Sequence, residues 1–494
     1  MKMYKKTGEV YTPELVVKNM LDMLSYKNKN ILKKHIIDNS CGLGAFLSVI
    51  VKRYIKVSLA ANISLNEIKR DLEKYIHGIE LNKESHKVTI STLDEICLEH
   101  KIPGKVKWDI INGDSLYIKK YDKKMDFVVG NPPYIRIHDL DAKYKEFEFS
   151  KKGMTDLYLI FFEIGINMLN ETGKLIYITP NSYLTSSSGS SLRKYLLENN
   201  LIQKVLNLGH DNPFKNITTY PIITMLKKQK KNKDVEVYKN DSIKNKYIKD
   251  FTIKNETYQI ENKFYFHKSN DINFLKEILT VKSNNSKVFV RNGLATNFDS
   301  FFYNDNFEGE FIIDAIKASN LKYTKLFYPY DKSGKLIPLD EIERKNKNIY
   351  DELQLKKFSL CDRSLENMSN WYGFARSQAI KDVYKEKITM NNIIRTIESI
   401  KIIHAPYGTA IYSGFYIYSD CISLEEIQKK LKSQKFIEYV KLLGKDKNGH
   451  YYYVSSKDVQ KYLDYSFLDY EYNKIKLAIK KCDRDLNLYE KIRK

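Results

Sequence analysis

Between Ile36 and about Leu226, short runs rich in isoleucine and valine alternate with longer amphipathic segments. That rhythm constrains the chain strongly. The short runs can bury both faces in a parallel sheet, and the amphipathic segments cross back over it as helices, the βαβ arrangement. The first run, Ile36-Ile37-Asp38, ends in Asn39-Ser40-Cys41-Gly42-Leu43-Gly44, and a helical pattern follows through Leu47, Ile50, Val51 and Tyr54. Ser64-Leu65-Asn66-Glu67 opens a further helix with a capping-box pattern. Tyr75 to Leu81, Trp108 to Ile111 and Asp126 to Val129 read as the next strands, each meeting polar residues within a few positions. A helix from about Asp156 to Leu169, a strand Lys174 to Thr179, a helix near Leu192 to Glu198 and strands around Val205 and Ile222 complete the pattern. The expected fold class is α/β, with a doubly wound, seven-stranded Rossmann-like sheet. Ligands of such sheets gather outside the carboxyl ends of the strands, where loops converge without a covering helix.

The rhythm stops at Lys227 to Lys233, a charge run with no apolar face that reads as a solvated turn or edge. Beyond it the chain is aromatic-rich, lysine-rich and without an internal repeat. A chain of 494 residues exceeds one ordinary core. The expected division is a domain over 1–260 that carries the chemistry and a separate mixed α+β recognition domain over 261–494. Lys+Arg number 83 against 61 Asp+Glu, a formal net charge of +22, which favours a polyanionic partner through counterion release. An AT-rich genome, which inflates lysine, accounts for part of that excess. No run of eighteen apolar residues is present to cross a bilayer, and Met1 to Val10 lacks the apolar middle of a signal peptide. The expectation is a cytoplasmic protein, monomeric, with no membrane partner. Cys41, Cys97, Cys361, Cys421 and Cys482 are widely spaced with no Cys-x-x-Cys pair, so reduced thiols and no metal site are expected.

The tetrapeptide Asn131-Pro132-Pro133-Tyr134 follows directly on an apolar strand and Gly130. Two consecutive prolines fix two φ angles and remove two amide donors, leaving a stiff loop that presents carbonyl oxygens. With an amide side chain before them and an aromatic ring after, that set suits an amine on a planar base. The Asn131 side-chain oxygen and the Pro132 carbonyl can accept from an exocyclic amino group, drawing the nitrogen lone pair out of conjugation. The Tyr134 ring offers a face on which a base turned out of its helix can stack. The plainer alternative is a Pro-Pro turn that only caps a strand. Gly42 and Gly44 let the backbone approach a ligand closely, although a Gly-x-Gly after a strand also serves merely to pack a helix.

Taken in order, these segments resemble the gamma class of N6-adenine DNA methyltransferases of restriction–modification systems, the TaqI/Eco57I-like group. The likeness covers roughly residues 8 to 227. It implies a Rossmann-like methyltransferase sheet that binds S-adenosyl-L-methionine and methylates a flipped adenine at N6 by direct in-line attack. Gly8 to Pro13 resembles the opening motif that closes over the methionine end of the cofactor, which assigns Tyr11 and Thr12 to that end. Asp38 to Phe46 resembles the cofactor loop and assigns Asp38, Ser40, Gly42 and Gly44 to cofactor binding, although many members carry proline where this chain has Asn39. Glu80 resembles the acid that holds the ribose hydroxyls, and Asp114 the residue that accepts from the cofactor's adenine amino group. Asn131 adjoins the cofactor as well as the base. Asp156-Leu157-Tyr158 with Phe161 and Phe162 resembles the next motif, and Phe214 with Lys215 to Thr219 the motif whose aromatic ring covers the flipped adenine.

In the second half, Arg291 to Asn297 and Trp371 to Gln378 resemble segments of the group's target-recognition domain. Arg376 and Gln378 carry the side chains that read guanine and adenine edges in a major groove. The expected partner is double-stranded DNA, with a separate cognate restriction endonuclease left open. Two alternatives stand beside this reading: a methyltransferase acting on RNA or on protein glutamine, since Asn-Pro-Pro-Tyr also serves there, and a catalytically inactive DNA-binding protein on the same scaffold. A nuclease in the same chain would need an Asp followed by Glu-x-Lys on a strand. Glu343-Arg344-Lys345 has that spelling but lies in a charge run expected to form a solvated helix face.

Overall fold

The computed structural model describes residues 11–137, 142–152, 155–214, 219–228, 234–282, 286–365 and 370–468. Gly8 to Val10, Lys215 to Thr218, Gln229 to Lys233 and Cys482 lie outside them. The chain divides into two compact units, Met1–Ile272 and Asn273–Lys494.

The first unit is built on one nine-stranded sheet of order β3-β2-β1-β4-β5-β7-β6-β8-β9, with β1 at Ile36–Asp38, β2 at Ile76–Glu80, β3 at Asp109–Asn112, β4 at Met125–Gly130, β5 at Leu169–Pro180, β6 at Ile202–Asn207, β7 at Pro221–Lys227, β8 at Asp234–Asp241 and β9 at Lys246–Lys254. β3, β2, β1, β4 and β5 run parallel to one another, and β7 runs antiparallel to both β5 and β6. The helices are α1 at Glu14–Met23, α2 at Ala45–Ala60, α3 at Leu65–Tyr75, α4 at Lys83–Glu99, α5 at Leu157–Met168 and α6 at Ser190–Glu198. Ser64 caps α3 by accepting from the Glu67 amide, one half of the box that the Ser-x-x-Glu spelling predicts.

Nine strands rather than seven is a correction with a simple cause. β8 and β9 alternate apolar and polar residues and end the sheet, so Val235, Val237 and Ile253 face the core while lysines, glutamate and aspartate face water. Strands with one wet face carry no continuous apolar run. Lysines along the terminal strand also discourage pairing with another chain.

Alternate residues of the central strands serve two cores. Ile36, Val129, Ile176 and Ile178 join the cluster under α1 to α4, and Ile37, Val128, Leu175 and Tyr177 join the cluster under α5 and α6. At the amino ends of the strands, His35 Nδ1 and His77 Nε2 lie 2.8 Å apart, and His77 Nδ1 lies 2.8 Å from Asp109 Oδ2. Burial alone would raise the Asp109 pKa, but hydrogen bonds from His77, Lys120 and Tyr121 outweigh it and hold the carboxyl low. This network ties β1, β2 and β3 together at the end opposite the turn that follows Asp38.

In the second unit, Phe289–Asn292, Phe415–Tyr418, Lys387–Met390 and Ile402–Ala405 form a four-stranded sheet, and Lys322–Phe327, Ile312–Lys317 and Ala410–Tyr412 a three-stranded one. A small sheet of Ile393–Ile394, Tyr451–Tyr453 and Asp446–Lys447 and several helices complete it. Its main cluster is aromatic, with Phe301, Phe302, Phe327, Tyr328 and Phe374 buried together. Glu343, Arg344 and Lys345 are exposed on the helix Leu339–Lys345, and Lys345 pairs with Glu341 one turn back. Among the described residues, no helix is long and apolar enough to cross a membrane.

Candidate active site

Parallel pairing brings the carboxyl tips of β1, β2, β3 and β4 to one edge of the sheet. The turn after β1 is shaped by its own acid. Asp38 is buried, and its Oδ1 accepts from the Ser40 amide at 3.1 Å. Gly42 and Gly44 both adopt the left-handed conformation, at φ +53° and +82°, and Gly44 opens α2. A Cβ on Gly42 would meet nothing within 4 Å, so here the glycine answers a backbone requirement and leaves open space beside the turn. Asn39, where proline is common in the resembling group, is buried, and its Oδ1 accepts from Tyr177 while its backbone oxygen accepts from Ser115. The amide thus pins the loop to β5, a contact proline could not make.

Glu80, at the tip of β2, is nearly buried and holds the same loop from the other side. Its Oε2 accepts from the Gly42 amide at 2.8 Å and its Oε1 from the Asn82 amide at 2.7 Å. Asp114 follows β3, and its Oδ1 accepts from the Leu116 amide at 3.0 Å. Asn112 reaches back to the Glu80 carbonyl.

Asn131 leaves the tip of β4, and its Nδ2 donates to Thr12 Oγ1 at 3.0 Å, bringing together two residues 119 positions apart. Gly130 sits at φ +155°, and a Cβ there would approach Asp38 Oδ1 to 2.9 Å, so the Asn-Pro-Pro-Tyr loop and the first acid are packed without room between them. The loop is held further by backbone bonds from Leu157 to Ile135 and from Ile137 to Thr155, and by the Arg136–Asp156 bridge pair. Tyr134 donates its hydroxyl to the Ile178 carbonyl at 3.2 Å, and its ring meets Tyr158 edge-on. Burial pushes the Tyr134 phenol far up, so it stays a donor.

Other candidates fall elsewhere. Phe161 and Phe162 are core residues of α5. Phe214 is only 6% exposed and packs into the cluster containing Leu206 and Leu208, while Tyr134's ring contact is with Tyr158. Tyr11 is exposed and Thr12 buried. In the second unit Arg376 is exposed, whereas the Gln378 side chain donates to the Gly293 carbonyl at 2.8 Å.

Residues outside the motifs also line this edge. Leu43, Leu81 and Tyr117 follow the tips of β1, β2 and β3 and are exposed, Leu81 at 70%. Large apolar side chains bared directly after polar strand tips suit the flat face of a ligand. Their signal in the sequence is their place, one residue past Gly42 or Glu80 for the two leucines and three past Asp114 for Tyr117, and no more. A test of fit for an adenosyl cofactor comes from unsatisfied atoms: Ser40 Oγ and Asn39 Nδ2 are buried and find no hydrogen-bond partner among the described residues. With the carboxylates of Asp38, Glu80 and Asp114 and the open side of Gly42, the donor and acceptor set fits such a group.

Burial lifts the Asp38 carboxyl pKa to about 7, Ser40's amide working against the rise and Glu80's charge adding to it. The folded chain therefore holds a proton that the unfolded chain has already lost. Asp38's contribution to stability is full below the ordinary carboxylate pKa and is lost as pH rises through about 7. A ligand with a positive charge near Asp38 prefers the ionised form, so its affinity should climb with pH from about 6 to 8, by up to about tenfold per unit below the pKa. Calorimetry with S-adenosylmethionine across that range checks this, and Asp38→Asn should flatten the profile. A wild-type affinity independent of pH would remove Asp38 from the cationic end of the site.

The family described as Eco57I restriction-modification methylase matches residues 26–214. The chain is 30% identical over 246 residues to the Type II methyltransferase M.BstVI of Geobacillus stearothermophilus, covering 47% of this chain and 44% of that protein. It is 26% identical over 539 aligned positions to the Type II restriction enzyme and methyltransferase RM.Eco57I of Escherichia coli, covering 87% of this chain and 54% of that one. The chain thus spans about half the length of these curated relatives. Among solved structures, the Type IIL restriction-modification enzyme MmeI in complex with DNA aligns over 90% of this chain and 64% of its own, at TM-score 0.60 and 14% identity, a likeness of fold.

Proposed function

We propose that the chain, whose residues 26–214 match the Eco57I restriction-modification methylase family, is a DNA methyltransferase that modifies the exocyclic N6 of adenine, with S-adenosylmethionine as cofactor and double-stranded DNA as substrate. The observation that carries the proposal is the Asn131 amide, clamped by Thr12 at the tip of β4 and packed through Gly130 against Asp38. An amine-accepting loop directly beside a nucleotide-like cradle is what methylation of a base nitrogen requires. When bound, the cofactor supplies an electrophilic methyl group. Asp38, Ser40, Gly42 and Gly44 are assigned its methionine side, with Tyr11 and Thr12 over it, Glu80 its ribose, and Asp114 with Leu43 and Leu81 its adenine.

The reading gives each loop residue a task. Asn131 Oδ1 and the Pro132 carbonyl accept the two amino hydrogens, which localises the lone pair on nitrogen. Tyr134 offers its ring to the extruded base. Phe214 would have to leave its core packing to cover the other face, so the stacking assigned here rests on Tyr134. The second unit is assigned target recognition.

The direct test is transfer of labelled methyl to duplex DNA followed by nucleoside analysis. N6-methyladenine at one sequence context supports the proposal; label in RNA, in protein glutamine or nowhere defeats it. Tyr134 offers a finer test. Tyr134→Ala should weaken capture of the base by about 1 to 3 kcal/mol, the usual worth of base–aromatic stacking. Tyr134→Phe keeps the ring and loses only the bond to Ile178, costing about 1 kcal/mol. A 2-aminopurine at the target adenine should brighten with wild type and with Tyr134→Phe, but far less with Tyr134→Ala. Equal losses for both variants would show that the hydroxyl, and not the ring face, is what matters.

A further inference from the structure

In the second unit, a cavity of about 320 Å³ is lined by Gly334, Ser377, Ala379, Ile380, Lys381 and Asp382. We propose that this cavity is a seat for a backbone phosphate of the DNA, with the Lys381 ammonium and the Ser377 hydroxyl as its contacts and Arg376 at its rim. The inference rests on the proposed function, since it presumes a DNA ligand, and adds a site to it.

The first support is the rigidity of the segment that carries these side chains. From Gly373 to Ile380 the chain forms neither helix nor strand, yet its backbone is fixed from several directions. The buried Arg363 donates to the carbonyls of Trp371 and Gly373, at 2.7 and 2.9 Å. Tyr330 accepts from the Phe374 amide, the Arg376 amide donates to Ala295, and Tyr328 donates to the Ile380 carbonyl. Gln378 is one more tether, to Gly293. An irregular segment with this many anchors is a preorganised platform, and its crest presents Arg376 to solvent.

Charge is the second support. Lys381 is exposed at the head, but its stem lies over Gly334, where a Cβ would meet Lys381 Cγ at 3.1 Å. Gly334 takes φ +83° in a turn that also exposes Lys332 and Lys335. The two acids of the neighbourhood are engaged. Asp382 Oδ2 accepts from Tyr416 at 2.6 Å and its Oδ1 lies 3.4 Å from Lys385 Nζ. Asp331 folds its carboxylate back onto Ser333 and the Lys335 amide. Toward solvent, Lys332, Lys335, Arg376 and Lys381 outnumber the exposed Asp331 carboxylate, and this net positive face with a hydroxyl at the wall suits a phosphate oxygen and carries no sequence information.

The test compares full-length wild type, Lys381→Gln and Ser377→Ala for binding to the methylated-site duplex and to an unrelated duplex over a range of salt. Lys381→Gln should lose about three- to tenfold in affinity at low salt on both duplexes alike. Its log–log salt slope should fall by about 0.9, one phosphate contact. S-adenosylmethionine binding and the methylated sequence should not change, and Ser377→Ala should show a smaller loss in the same pattern. Unaltered affinity and slope in Lys381→Gln overturn the phosphate seat, as does a loss confined to the cognate duplex with relaxed methylation, which would mark base readout. If wild type binds no duplex, the proposed function falls and this inference with it; if wild type binds and the variants bind equally, only the inference falls.

Discussion

Asn131→Ala should lower methyl transfer to DNA by at least about two to three orders of magnitude, the usual cost of removing one preorganised polar group from a reacting centre. Its affinity for S-adenosylmethionine should stay close to wild type. The expectation comes from where the amide is held. Its nitrogen is committed to Thr12 Oγ1, which fixes the orientation of the whole group at the tip of β4. The carbonyl end is the one assigned to the substrate amine, and alanine offers no acceptor in its place. Thr12→Val separates orientation from presence. It keeps the shape of Thr12 and removes the acceptor, so the Asn131 amide can turn, and the rate should fall by about tenfold, near 1.4 kcal/mol. Single-turnover transfer with cofactor binding measured alongside checks both variants. Near-normal turnover by Asn131→Ala would end the mechanism. A loss in Asn131→Ala explained wholly by weakened cofactor binding would move Asn131 from the substrate to the cofactor.

Why so much of the first unit could be read in advance is a matter of burial. β1, β4 and the later part of β5 are covered on both faces, so they are spelled in isoleucine and valine and stand out against the amphipathic helices between them. The acids and glycines at their tips were legible for the same reason, since a polar residue ending an apolar run marks a carboxyl end. β8 and β9 escaped because water takes one of their faces. Phe214 shows the opposite failure. Its place in the motif order suggests a ring over a base, but its side chain is buried in the cluster that also holds Leu206 and Leu208, and a motif carries no record of that competition. Gln378 was out of reach for another reason. Its partner, the Gly293 carbonyl, lies 85 positions away, and nothing local distinguishes a glutamine that reads a base from one that braces a loop. The strands of the second unit are short and rich in tyrosine and phenylalanine, so neither period stands out there.

A fragment ending at Lys268 should bind S-adenosylmethionine and lose site-specific affinity for DNA. The end point is set by packing. Stopping at 260 would separate Gln259–Ile260 from its partner strand Lys263–Phe264, remove Phe264 from the core beside Tyr258, and take away the Asn262 carbonyl that accepts from the buried Arg193. Stopping at 272 would cut the helix Ser269–Leu279. Lys268 keeps the hairpin and ends ahead of the helix. All residues assigned to the cofactor and to the Asn-Pro-Pro-Tyr loop remain in the fragment, whereas Arg376, Lys381 and the platform beneath them are gone. Full-length protein should lose DNA affinity steeply as salt rises, with a log–log slope of about 0.9 per phosphate neutralised, while its cofactor affinity hardly responds. The fragment should keep the second behaviour and show little of the first. Circular dichroism and a cofactor titration establish that it is folded before DNA binding is compared. A folded fragment that methylated the same site with undiminished selectivity would place target recognition within the first unit, and the basic, aromatic second unit would need a different role.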